Sequence, residues 1–175
     1  GTLLFVQNGE GYFSCTGTLI SPTVMLTAGH CVEGGGVENS VTYVRFVEHA
    51  LDDRENYTST QEWLDAEWIR AADVIPHPEF NDFAAFPNTY DVGLVILSEP
   101  VMLPVYGVLP TEGLLDSVLA AKGNKSNWFT AVGYGAQGIL NPFESDEYAR
   151  YRTTARLIEL KSTDTGNQQS GRSTN

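Results

Sequence analysis

Two short stretches of this chain hold residue types that could do chemistry together. His30 lies in Thr27-Ala28-Gly29-His30-Cys31, behind an apolar run and downstream of Cys15. Asp91 opens Asp91-Val92-Gly93-Leu94-Val95-Ile96-Leu97, a carboxylate at the head of an otherwise apolar run. An imidazole changes charge near neutral pH and can take up and return a proton. A carboxylate beside it would orient the ring and stabilise the imidazolium. Such a pair is the base half of a nucleophilic mechanism; a hydroxyl or thiol must supply the other half.

Neither residue is diagnostic alone. A lone histidine is more often structural or exposed, which is how His49 and His77 are read. An aspartate before a strand is often a turn residue. Burying its carboxylate, however, costs several kcal/mol unless charge or hydrogen bonds compensate. A partner imidazole would give Asp91 a reason to sit next to the core.

The chain has two cysteines, Cys15 and Cys31, best read as one disulfide and hence as a sign of an oxidising compartment. A bridge would pin the turn before His30 to the neighbouring strand, stabilising by roughly 3 kcal/mol in the chain-entropy model. Two rivals remain open. Cys15, His30 and Cys31 could ligate zinc, although adjacent His and Cys are poorly spaced for a tetrahedral site. Cys31 could be a thiolate nucleophile, although a bridged sulfur is inert.

The elements that must position these residues read as strands. Of the 175 residues 42% are hydrophobic, enough for a packed core in one large or two small domains. Short β-branched and aromatic runs alternate with turn residues, which favours an all-β fold. Residues 2–7 and 12–20 flank Asn8-Gly9-Glu10-Gly11, a hairpin signal. Further strands are expected at 24–28, 41–48, 68–75, 92–97, 128–134 and 153–160, with a helical turn over 65–72 as the alternative there. Residues 100–127, with Pro100, Pro104 and Pro110, read as a connector containing one short helix at 112–121. After Lys161 the chain is polar and is expected to be a loop or frayed end.

The net charge of −12 disfavours nucleic acid as a partner, since phosphate binding needs Lys and Arg patches. The acid clusters between Glu48 and Asp73, in Asp52, Asp53, Glu55, Glu62, Asp65 and Glu67. A solvated loop is the favoured reading and a divalent cation site the sharper one, without an EF-hand pattern. Apolar runs stay short of the roughly 18 residues a membrane helix requires, so no membrane partner is expected. Asn56-Tyr57-Thr58 and Asn124-Lys125-Ser126 match the glycosylation acceptor pattern, a weak signal.

Three segments, Cys15 to Cys31, His77-Pro78-Glu79-Phe80 with Tyr90 to Leu97, and Val132-Gly133-Tyr134-Gly135, resemble the trypsin–chymotrypsin family in order and spacing. Gly29 stands where that family usually has a second alanine, Asp91-Val92-Gly93-Leu94 where it shows Asp-Ile-Ala-Leu, and Tyr134 where it has tryptophan. The resemblance implies two antiparallel β-barrels with the active site between them, the second incomplete. It implies a first barrel over 1–99 carrying His30 and Asp91, a connector over 100–127, and a partial second barrel with a polar tail over 128–175. It further implies a secreted serine endopeptidase acting on protein or peptide substrates without a cofactor or metal. His30 would be the general base and Asp91 its orienting partner. The Gly-Asp-Ser-Gly-Gly setting of the family's nucleophile is absent from these residues, and Ser170 and Ser173 read as loop residues. The expectation is therefore a truncated peptidase, inactive as it stands, with a non-catalytic binding or regulatory relative as the alternative.

Overall fold

The computed structural model describes residues 1–32, 40–81, 89–120, 127–135, 138–140, 143–145, 148–159 and 172–174. Strands dominate, as the alternating pattern predicts. β1 (Thr2–Gln7) turns back into β2 (Glu10–Thr16) through Asn8 and Gly9, both at positive φ (54° and 84°). Two left-handed residues match the twist of the strands they join, which is why Asn-Gly suits this place. β3 (Thr18–Leu19), β4 (Val24–Thr27), β5 (Val41–Arg45), β6 (Ile69–Pro76) and β7 (Gly93–Leu97) complete a seven-stranded antiparallel sheet in the order β2-β1-β5-β6-β7-β4-β3.

The sheet's two edges, β2 and β3, are consecutive in sequence and separated by Gly17 alone. One segment thus pairs at both ends, and the sheet curls into a barrel without a long free edge. The sequence reads 12–20 as one strand; the structure breaks it at Gly17, where a Cβ would lie 2.5 Å from Met25 Sδ.

The period-two alternation of β1 divides the packing into two clusters. Leu3 and Phe5 point into the barrel with Leu19, Met25, Val44, Val95 and Leu97. Leu4 and Val6 face outward against Tyr43, Trp63, Leu64, Trp68 and Tyr134. The outer cluster is covered by α2 (Thr60–Glu67); a shorter helical turn, α1 (Gly29–Val32), follows β4. α2 begins earlier than the turn expected at 65–72. Its start is written in Ser59-Thr60-Gln61-Glu62: Ser59 Oγ accepts from the Glu62 N–H at 3.1 Å, an N-cap that ends the preceding coil.

Beyond the connector, which carries α3 (Leu114–Ala120), lies a three-stranded sheet of β8 (Trp128–Gly133), β11 (Tyr151–Glu159) and β12 (Arg172–Thr174). A separate hairpin pairs β9 (Gly138–Leu140) with β10 (Phe143–Ser145). β12 corrects the reading of the whole tail as loop: Arg172, Ser173 and Thr174 pair with β11, whose edge offers backbone partners that polar residues accept as readily as apolar ones. The rest of the tail to 171, and the Asn124 triplet, lie outside the described residues. Trp128, Phe129 and Val132 of β8 are about half exposed. The two sheets meet at Tyr134, which is buried, donates its backbone N–H to Thr16 Oγ1 at 2.9 Å and its hydroxyl to the Val47 carbonyl.

Candidate active site

β4 and β7 run side by side with Thr27 opposite Gly93. His30 lies three residues after Thr27 and Asp91 two residues before Gly93, both off the same end of the ladder. The register therefore delivers the two to one place despite 61 residues of intervening chain. His30 sits on α1, the single helical turn that starts directly after β4. Its Nδ1 is 3.0 Å from Asp91 Oδ1 and 2.9 Å from Oδ2, and its backbone N–H donates to Oδ1 at 2.9 Å. With the Nδ1 proton held by the carboxylate, Nε2 of the neutral ring bears the lone pair and is the basic atom. The side chains are 38% and 24% exposed, so the pair is partly accessible to solvent.

The partial exposure of Asp91 alters the burial argument made from sequence. Its carboxylate has access to water, so desolvation is not what demands a partner. Three contacts from His30, ring and backbone together, hold it instead.

Cys15 and Cys31 are bonded to each other, which ties β2 to α1 with Cα atoms 6.2 Å apart. Cys15, His30 and Cys31 do lie close enough to share an ion, but both sulfurs are committed to the bridge. The zinc and thiolate rivals lose their ligands and their nucleophile in this redox state.

Both glycines that stand at the alanine positions noted above pack tightly. A Cβ on Gly29 would lie 3.0 Å from the Phe80 ring and 3.2 Å from the Val92 nitrogen. One on Gly93 would lie 2.5 Å from Val32 Cγ2 and 3.0 Å from the Ala28 carbonyl oxygen. α1 is thus seated against β7 and the 77–80 turn more closely than alanines would allow.

The acidic stretch is not simply a solvated loop. Arg45, 5% exposed, reaches out of β5 to bind Asp53 through both terminal nitrogens, Nη1 and Nη2, with Glu67 2.7 Å from Nη2. Trp63 donates to Asp53 at 2.8 Å and Tyr57 to Glu67 at 2.6 Å, while the guanidinium lies 5.9 and 5.8 Å from the Trp63 and Trp68 rings. The Arg45 hydrogen bonds hold the Asp53 carboxyl down at about 2. Two carboxylates that could have served a cation are spent on this arginine. Sequence reasoning missed it, although a cation within the apolar run of β5 was itself a signal that acidic partners lay near. A cavity of about 300 Å³ lies elsewhere, lined by Thr16, Leu19, Leu103, Val105, Val132 and Tyr134; neither His30 nor Asp91 borders it.

Comparison with known proteins gives the same direction. A family model described as Trypsin matches residues 2–159. Chymotrypsin-like elastase family member 1 of Macaca fascicularis is 31% identical over 120 residues, covering 65% of this chain and 39% of that protein. Trypsin-10 of Gadus morhua is 29% identical over 133 residues, covering 74% and 48%. Serine protease 1 of Rattus norvegicus is 29% identical over 140 residues, covering 78% and 48%. The chain spans less than half the length of each of these relatives.

Proposed function

Because the chain belongs to the trypsin-like serine protease family, whose model spans residues 2–159, we propose that it carries the general base and orienting acid of a serine endopeptidase. His30 is the base and Asp91 its partner. The nucleophilic serine and the oxyanion-binding amides come from protein outside these 175 residues. The observation that carries the reading is the double grip of Asp91 on His30, at ring and backbone, which leaves Nε2 as the basic atom of the neutral ring.

In this mechanism Nε2 accepts the serine proton as the hydroxyl oxygen attacks the scissile carbonyl. Asp91 stabilises the imidazolium so formed, and the ring then gives the proton to the departing amine. Water repeats the sequence to release the acid and restore the serine. The Cys15–Cys31 bridge suits a secreted protein, since it persists only where thiols are oxidised. No helix among the described residues is long and apolar enough to cross a membrane.

A fluorophosphonate probe tests the proposal on the full-length protein. It should label one serine outside residues 1–175, and the label should be lost in His30→Ala. Absence of any adduct, or a different residue at the nucleophile's place, would make the protein a non-catalytic relative that binds instead of cutting.

A further inference from the structure

Asp91 lies outside the strand ladder, which begins at Gly93 on both sides, opposite Thr27 and Pro76. Apart from the His30 contacts to its carboxylate, what fixes its backbone must therefore be found in the coil before β7. Val92 donates its N–H to the Tyr90 carbonyl at 2.7 Å, closing a three-residue turn with Asp91 at its centre. Tyr90 enters that turn at φ 47°, a left-handed conformation that bulky side chains rarely adopt. Its ring lies nearly parallel to that of His77, at 8° with centroids 5.1 Å apart. His77 is itself anchored. Its backbone N–H donates to the Val92 carbonyl at 2.8 Å, its Nδ1 accepts from the Glu79 N–H at 3.2 Å, and its carbonyl accepts from the buried Phe80 at 2.9 Å. Phe80 packs under Gly29, one residue from His30.

We propose that the His77–Tyr90 stack is a positioning element that holds the strained Asp91 turn so that its carboxylate meets His30. Backbone strain at a single residue persists where the surroundings over-determine it, and here a ring face and a backbone hydrogen bond do so from the same residue. Neither His77 nor Tyr90 touches the reacting atoms in this reading; both act through Asp91. Their catalytic consequence rests on the peptidase reading above, whereas the geometric claim does not.

The test uses the full-length protein labelled with ¹⁵N-histidine, in which the His30 Nδ1 proton held by Asp91 gives a downfield NMR signal. Tyr90→Phe keeps the ring, Tyr90→Ala removes it, and Tyr90→Asn removes it while tolerating positive φ. His77→Ala removes the other face. We expect the Phe variant to match the parent, and the other three to lose or broaden the Nδ1 signal at unchanged histidine content. Where turnover is measurable, kcat should fall about ten- to a hundredfold in those three with KM nearly constant, as for a misplaced catalytic group. Retention of the signal and of kcat in Tyr90→Asn would overturn the proposal, because backbone conformation alone would then suffice. Asn also keeps the test decisive if the Ala variant fails to fold. An inactive parent would sink the peptidase reading and leave the proton signal to decide the role of the stack.

Discussion

Asp91 Oδ1 accepts twice from one residue, from the backbone N–H of His30 at 2.9 Å and from its ring Nδ1 at 3.0 Å. The two bonds separate by mutation. In Asp91→Asn the side-chain carbonyl can keep the backbone N–H, but the NH₂ then faces Nδ1 and forces it to accept. The proton moves to Nε2, the atom that must be basic. Turnover in the full-length protein should fall roughly 10⁴-fold, the magnitude this substitution has in the chymotrypsin-type triad. The thermal midpoint should change little. Equal activity of the Asn variant would refute the role given to Asp91.

The Cys15–Cys31 bridge closes a loop with a sequence separation of 16. Replacing both cysteines with alanine should destabilise the fold by about 3 kcal/mol in the chain-entropy model. Denaturant titration of both forms measures it. A stability difference near zero would mean that the barrel alone holds α1 in place.

Asp53 gives the fold an acid-sensitive stability. Its pKa is about 2 in the fold against an ordinary 3.8, chiefly because Arg45 hydrogen-bonds the carboxylate. The contribution is complete above about pH 4, since both folded and unfolded forms are then ionised. As pH falls from 3.8 toward 2 the unfolded chain takes up the proton first, and the stabilisation, on the order of 2 kcal/mol, is lost. Chemical denaturation from about pH 6 down to about pH 2 should show this slope, and Asp53→Asn should flatten it. Arg45→Met should cost about 3 kcal/mol at neutral pH, because it leaves two carboxylates without their cation.

Gly93 allows α1 to sit against β7. Gly93→Ala places a methyl group 2.5 Å from Val32 Cγ2 and should destabilise by about 1–3 kcal/mol through overpacking. Adding Val32→Ala should recover part of the loss, whereas Gly29→Ala alone should cost less, its nearest neighbour being a ring 3.0 Å away. Thermal melts of the three variants check the order.

Local signals make much of the fold legible in the sequence. The Asn8-Gly9 hairpin, the apolar runs of β4 and β7, and the start of β8 all follow from turn chemistry and alternation. The start of α2 is equally local, in the Ser59 cap, but the strand pattern that follows it masks the signal. The His30–Asp91 contact is of another kind. No local pattern sets the register of β4 against β7; the cost of burying a carboxylate only suggests a partner for Asp91, and it is the family resemblance that names His30, 61 residues away. Arg45 within an apolar run signals acidic partners, but that these are Asp53 and Glu67, and that Tyr90 meets His77, is not legible. Each depends on the path of a loop, and periodicity carries no information about that path.

The most direct measurement is ester and peptide hydrolysis by the full-length protein, with and without His30. The parent should turn over both substrates, and His30→Ala should reduce kcat by several orders of magnitude, given that the base and its partner act as a unit. The 175-residue chain alone should turn over neither. Hydrolysis by the short chain, or an unchanged kcat in the His30→Ala protein, would contradict the assignment of His30 as the base.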